Sequence, residues 1–437
     1  MPEHKSTFET DAEQSNLSRF LAVSGIILSS TIGAAASGLL FAYIPVKLLN
    51  LGFETWVAAS MLPAVALGGL IGCFATGPLL RLSGHARVFM LLYAMIVMSM
   101  VAIAYFEHPA AWLLARMGYG FAINGVFIVA QSWLHFASTD KIRGRVISVF
   151  YLGYVLALGL GSFMAGYLDN KDNTIPILAT AIIAMAMIPV GLTRLPQPEA
   201  PDKISVDMRR VWQISPVGLM GMFAVGGATM LMQSMAPIYM TKLDYGPKDV
   251  GLLLLFMQIG LIVIQMPLGA LSDRIDRRIV LAIVSGCACV IALVAYGTHG
   301  AISLIPLILI FSLWNGFNET IYSVSSAIAN DRANPADYIM LASTQMIAWS
   351  IAAFIVPTIG TVMLTFMPIQ FFMPMGSLIV GAYLGFVIYR MRQRSDVIIE
   401  EKESFQPVTA QVAYPGDYAN PDAGEDEAAG MTEGLTH

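Results

Sequence analysis

Charge is what this 437-residue chain has least of: only 12% of its residues are Asp, Glu, Lys or Arg, against roughly a quarter in an average soluble domain. With 57% hydrophobic residues beside that scarcity, an ordinary water-soluble globule is excluded, and the chain reads as a polytopic membrane protein. Cysteine is nearly absent. The three present, Cys73, Cys287 and Cys289, all fall inside apolar runs, and the last two, two positions apart, point to different faces of a helix. They are read as small packing residues, without a disulfide, redox or metal role. Between the apolar runs, only one long polar stretch occurs, at 194–215. The first 18 residues are polar and somewhat acidic, and the first apolar run, from Phe20, is long enough to stay as a helix, so no cleavable signal is expected.

What is present is a series of twelve apolar runs, at 20–44, 54–78, 87–106, 110–136, 146–168, 175–193, 216–240, 249–270, 279–298, 302–329, 338–363 and 370–391. Each is long enough to cross a hydrocarbon core of roughly 30 Å, and each must be a helix, because an open sheet edge is not tolerated in lipid. An even number puts both termini on one side. Of the 24 Lys and Arg, 19 lie in the tails and even-numbered links, four in the odd-numbered links (Lys47, Lys171, Lys242, Lys248) and one, Arg116, inside a helix. Positive charge collects on the cytoplasmic side, so both termini are expected there.

The link Gly269-Ala-Leu-Ser-Asp-Arg-Ile-Asp-Arg-Arg278, between the eighth and ninth runs, resembles the signature loop of the major facilitator superfamily. That loop recurs between the second and third helix of each six-helix half. A weaker copy stands 192 positions earlier, at Gly77-Pro-Leu-Leu-Arg-Leu-Ser-Gly-His-Ala-Arg87. Gln265-Met-Pro-Leu-Gly269 ahead of the loop, Gln131-Ser-Trp-Leu134 followed by Arg143-Gly-Arg-Val146, and Ala329-Asn-Asp-Arg332 resemble a bacterial subgroup of the superfamily whose members are transporters without a known substrate. Two residues depart from its pattern: Gln131 stands where Glu is common, and Arg81 where the first loop normally has Asp.

The chain then divides into a cytoplasmic tail (1–19), a six-helix bundle (20–193), a cytoplasmic linker (194–215), a second bundle (216–391) and a tail (392–437). Prolines 196, 198 and 201 keep the linker from extending either neighbouring helix. Duplication shows in Asn50-Leu-Gly52 against Asp244-Tyr-Gly246, and in Asn124-Gly125 against Asn315-Gly316. From Ser395 the last tail holds ten acidic residues and one lysine, so it is expected to be disordered, and removing it changes the formal charge from -5 to +4.

Small residues on the fifth run, Ala157, Gly161 and Ala165 with Gly159 and Gly166 beside them, let a neighbouring backbone approach. Drug antiporters carry Gly-Pro and Gly-Gly there. The positions here are Gly161-Ser162 and Ala165-Gly166, so the proline is absent and close packing is the reading kept.

Polar side chains inside the membrane are costly, so each is a candidate site residue. Arg116, Gly120, Asn124, Phe127 and Gln131 share one helical stripe on the fourth run, as do Asn315, Asn318, Glu319, Tyr322 and Ser326 on the tenth. The resemblance implies that helices one, four, seven and ten line a central cavity, which would make the stripes facing walls. Thr229 and Gln233 join from the seventh run, Gln258 and Gln265 from the eighth, Gln345 and Trp349 from the eleventh. Glu319 lies roughly 24 Å deep at 1.5 Å per residue, where burial favours a neutral carboxyl suited to loading and releasing a proton. Two readings stand side by side for it: proton carrier, or a hydrogen-bonded tie between helices. Arg116, near a helix end, either faces the cavity or snorkels to the surface. A depth difference of roughly 16 Å argues against a direct Arg116–Glu319 ion pair. None of the six histidines is deep in a run, which argues against a histidine proton relay.

The cytoplasmic gate is expected at Gly77, Arg81, Arg143, Arg145, Gly269, Asp273, Arg274, Arg277, Arg278, Asp331 and Asp337. In the superfamily, Asp in the loop after helix eight faces the start of helix five; Asp273 fits that part, with Arg143 and Arg145 beside it. Arg81 is repelled by a helix start, which carries partial positive charge, so it is expected to reach Asp331 or Asp337 instead; otherwise it is an anchor at lipid headgroups.

No nucleotide loop, zinc-binding His pair or nucleophile elbow appears, so a carrier is favoured over an enzyme. The whole is read as an all-α, twelve-helix monomer in a bacterial inner membrane. It moves a small organic solute by alternating access, coupled to protons, with the lipid bilayer as its surroundings and no cofactor, metal or nucleic-acid partner. The alternative is a transport-inactive sensor or scaffold of the same fold that signals through its acidic tail.

Overall fold

The computed structural model describes residues 4–138, 140–168, 172–192, 206–334 and 337–393, with backbone only at 4–22, 140–142 and 339. Lys171, most of the linker and the acidic tail lie outside the described residues. Among the described residues, twelve helices are long and apolar enough to cross a membrane. They are α1 (His4–Asn50), α2 (Thr55–Ser83), α3 (His85–Tyr105), α4 (Pro109–Ala137), α5 (Asp140–Ala165), α6 (Thr174–Gly191), α7 (Pro216–Lys242), α8 (Pro247–Ser272), α9 (Arg277–Gly297), α10 (Leu304–Asn330), α11 (Tyr338–Met363) and α12 (Phe372–Met391). A short linker helix, Met208–Ile214, precedes α7.

The sequence marks where several of them begin and end. Pro109, Pro216 and Pro247 occupy first-turn positions, where a missing N–H costs nothing. The Ser215 hydroxyl accepts from Gly218 N, and the Asp276 carboxylate from Arg278 N, which caps α7 and α9. Gly84 alone separates α2 from α3, with φ of 73°, a conformation that favours glycine. Gly52 (φ 81°) follows α1 and Asp244 (φ 63°) follows α7, 192 positions later, so the two halves turn on left-handed residues at matching places. Proline also lies inside α1, α2, α6, α7, α8 and α11. In α7 and α11 a threonine four residues on, Thr241 or Thr361, donates to the proline's carbonyl.

Within the first half α1 packs on α5 and α6, and α4 on α2 and α3; in the second α7 packs on α10, α11 and α12, α8 on α10, and α9 on α10 and α12. The halves meet chiefly along α5 with α8 and α2 with α11. This is two bundles of six. α7 is the innermost helix, 89% buried over its most apolar stretch, whereas α6 is 33% buried there. Large apolar side chains such as Met98, Leu114, Ile305 and Leu378 are exposed on the outer surface, as suits a face turned to acyl chains.

Glycine sets the closest crossings. A Cβ on Gly161 would lie 2.0 Å from Ala35 O, and one on Gly38 2.1 Å from Leu158 O, so the small residues of α5 let α1 approach backbone to backbone. The same device joins α2 to α4 at Gly68 and Gly120, and α8 to α10 at Gly260 and Gly316. Between the halves, Gly166 meets Lys248 Cα and Gly251 meets Ser162 O, at the end of the bundle away from the chain termini.

Candidate functional site

Between the two bundles lies a cavity of about 100 Å³. The first half contributes Phe41 from α1, Leu62, Val65, Ala66 and Gly69 from α2, Arg116, Tyr119, Gly120, Ile123, Asn124 and Phe127 from α4, and Tyr154 and Leu158 from α5. Met230 of α7 and Trp349 and Ser350 of α11 close it from the second half. Leu62, Ala66, Met230 and Ala353 form an apolar contact between the halves beside it. The stripe read on the fourth run thus reaches the cavity through Arg116, Gly120, Asn124 and Phe127. Its next member, Gln131, is buried with both amide atoms lacking a hydrogen-bond partner.

Each polar group has a distinct setting. Arg116 is 2% exposed, so it does not snorkel to the surface; its guanidinium lies 4.7 Å from the centre of the Tyr119 ring, three residues on along α4. Asn124 donates to Gly69 O at 2.8 Å. Gln233 shares a small neighbouring space with Arg116, and its amide oxygen has no partner. Ser234 donates to Ala59 O at 2.8 Å, a direct bond between the halves.

The stripe read on the tenth run is turned elsewhere. Asn315 donates to Met257 O of α8 at 2.9 Å, and Asn318 donates to the Thr229 hydroxyl of α7 at 2.7 Å. The Thr229 hydroxyl in turn donates to Glu319. Glu319 is 6% exposed, Tyr322 is buried, and neither lines this cavity. The hydrogen-bonded tie between helices that the sequence allowed for Glu319 is therefore present. Arg116 and Glu319 form no ion pair. Asn124 and Asn315, 191 positions apart, make equivalent bonds, each to a backbone carbonyl of the neighbouring helix in its own half.

Gln265 joins three helices. It accepts from the Tyr151 hydroxyl of α5 across the interface and donates to Ser323 of α10. In the loop beyond it, Ser272 donates to Gly269 O, Asp273 pairs with Arg277 at 3.2 Å, and Asp276 holds Arg278 at 2.7 Å. Arg277, fully buried, also pairs with Asp331 at the end of α10 (3.2 Å). Asp337, at the start of α11, pairs with Arg210 of the linker helix at 3.1 Å. Of the two aspartates expected to receive Arg81, Asp331 thus holds an arginine of the second half and Asp337 one of the linker helix. Arg81, Arg145 and Arg274 are exposed, Arg143 is half-buried, and Gly77 has open space where a Cβ would stand.

Tyr119, Asp276 and Tyr154 are among the participants that escaped the sequence reading. Tyr119 carried a signal, its i+3 spacing from Arg116, and Asp276 another, its place before a helix start. Tyr154 carried none, because an aromatic residue in an apolar run looks like any other core residue.

A family model described as "Major Facilitator Superfamily" matches residues 84–318 and 217–415. An uncharacterized MFS-type transporter of Enterobacter sp. (strain 638) is 21% identical over 325 residues, covering 72% of this chain and 81% of that protein. The uncharacterized MFS-type transporter YfkF of Bacillus subtilis (strain 168) is 25% identical over 277 residues, covering 60% of this chain and 70% of its own. Among solved structures, a D-xylose-proton symporter superposes with a TM-score of 0.68 at 12% identity, covering 87% of this chain and 99% of that one. The nucleoside transporter NupG gives a TM-score of 0.67 at 11% identity, over 85% of this chain and 99% of its own. At such identities the likeness is one of fold. The two six-helix bundles, the repeated loop and the family match together make this chain a member of the major facilitator superfamily of membrane transporters.

Proposed function

We propose that this protein is a secondary active transporter that moves a small organic solute across the bacterial inner membrane by alternating access, as a monomer, with both termini in the cytoplasm. The observation that carries the reading is the cavity between the halves. Residues of α4 face residues of α7 and α11 across it, so rocking one bundle against the other would open it to either side in turn. Backbone contacts at Gly166 and Gly251 suit helices that slide or part as units.

Protons are the proposed coupling ion, and Glu319 the proposed carrier. Its carboxyl, buried with a single hydroxyl donor from α7, can change protonation only at a cost that the α7–α10 contact registers. The arginines of the terminal side support the orientation, and with Asp273, Asp331 and Asp337 they form the proposed cytoplasmic gate. Proteoliposomes decide the reading. Exchange of a labelled solute across the bilayer, driven by its own gradient and by an imposed pH difference, is expected. A transport-inactive sensor would show neither with any solute that binds.

A further inference from the structure

Among the described residues, the cavity holds a cation with no counter-ion. Arg116 is 2% exposed, its Nε has no hydrogen-bond partner, and its one charge-related contact is the Tyr119 ring face at 4.7 Å. No Asp or Glu lines the cavity, and Glu319 is bonded to Thr229. Leaving a charge buried without a partner is strongly unfavourable, even after relaxation. A second group in the same cavity has the same need: the indole Nε1–H of Trp349, from the other half, is buried without an acceptor. Arginine and tryptophan side chains only donate, so the two vacancies ask for an acceptor, and the guanidinium asks for a negative one. Around them stand Phe41, Tyr119, Phe127, Tyr154 and Trp349, surfaces suited to a flat apolar body.

We infer that the solute is an organic anion, a small monocarboxylate with an apolar or aromatic body, whose carboxylate binds the Arg116 guanidinium and takes the Trp349 indole N–H as its second donor. The inference rests on the transport reading above and names its substrate class. One arginine matches one negative charge. Because Arg116 belongs to the first half and Trp349 to the second, the anion is held by both bundles and is carried by their relative motion.

The test uses the full chain in detergent with acetate, butyrate, phenylacetate and benzoate, against benzamide as the neutral probe and benzylamine as the cationic one. At least one carboxylate is expected to raise the thermal midpoint, since a ligand of the folded state alone stabilises it. Benzamide is expected to need at least a tenfold higher concentration for the same shift, and benzylamine to give none. Arg116→Gln is expected to abolish the preference for the carboxylate. Arg116→Lys, which keeps the charge but loses the planar fork, is expected to retain part of it and carries the test if the glutamine variant does not fold. The inference is overturned if no carboxylate of the series shifts stability, if the amide or amine acts as well as the acid, or if Arg116→Gln keeps the preference. Arg116-dependent binding of a carboxylate without any exchange in proteoliposomes would remove the transport reading and leave the anion site standing.

Discussion

Arg277 and Asp331 form a buried ion pair, 3.2 Å apart with side chains 1% and 4% exposed, that ties the start of α9 to the end of α10. Removing Asp331 takes from buried Arg277 its buried partner and leaves it the partly exposed Asp273. Asp331→Ala is therefore expected to cost about 3–5 kcal/mol, while Arg210→Ala, at the exposed pair with Asp337, is expected to cost about 1 kcal/mol or less. Denaturation of the purified variants in detergent measures both, and equal effects would contradict the distinction.

The same asymmetry bears on Arg81. Arg81→Asp is expected to weaken transport. Adding Asp337→Arg is expected to restore part of it, because that aspartate sits in the more exposed pair. Adding Asp331→Arg is expected to fail, because it sets an arginine against buried Arg277. Solute exchange by the single and double variants checks the order; no recovery in either double variant would leave Arg81 as a headgroup anchor.

Glycines separate packing from gating. Gly161→Ala places a Cβ 2.0 Å from a backbone oxygen and is expected to destabilise the protein by about 1–3 kcal/mol through overpacking. Gly77→Ala meets nothing within 4 Å, so its thermal stability is expected to match the parent within about 0.5 kcal/mol. A loss of transport in a stable Gly77→Ala protein would then belong to loop motion.

For Glu319, the Gln variant keeps an acceptor for the Thr229 hydroxyl and cannot release a proton near neutral pH. It is expected to fold and exchange solute, and to lose accumulation driven by a pH gradient. Undiminished proton movement would leave the residue with its structural bond alone.

Much of the fold was legible in the chain because lipid permits so few solutions. A long run without charge must be a helix, twelve such runs with a repeated loop make two halves, and duplication left Asn124 and Asn315 in equivalent places. The extra length of α1, from residue 4 to 50, was not legible, because its first turns are polar and carry no hydropathy signal. At the site the stripe on α4 was readable from its period. The direction of the stripe on α10 was not, since a polar residue in a membrane helix satisfies its bonding equally well in a cavity or against a neighbouring helix.

The sequence by itself determined the membrane class, the number of helices, the two-fold internal repeat and the residue types available for chemistry, since each follows from local composition and chain periodicity. Only the tertiary structure decided which of those residues share a space. It set Arg116 against an aromatic wall without a carboxylate, bound Glu319 to Thr229, and gave Asp331 to Arg277. Those pairings depend on how helices far apart in the chain rotate and close on one another. That rotation is fixed by backbone contacts at glycines such as Gly38 and Gly161 and by bonds between helices, which no single run of sequence contains.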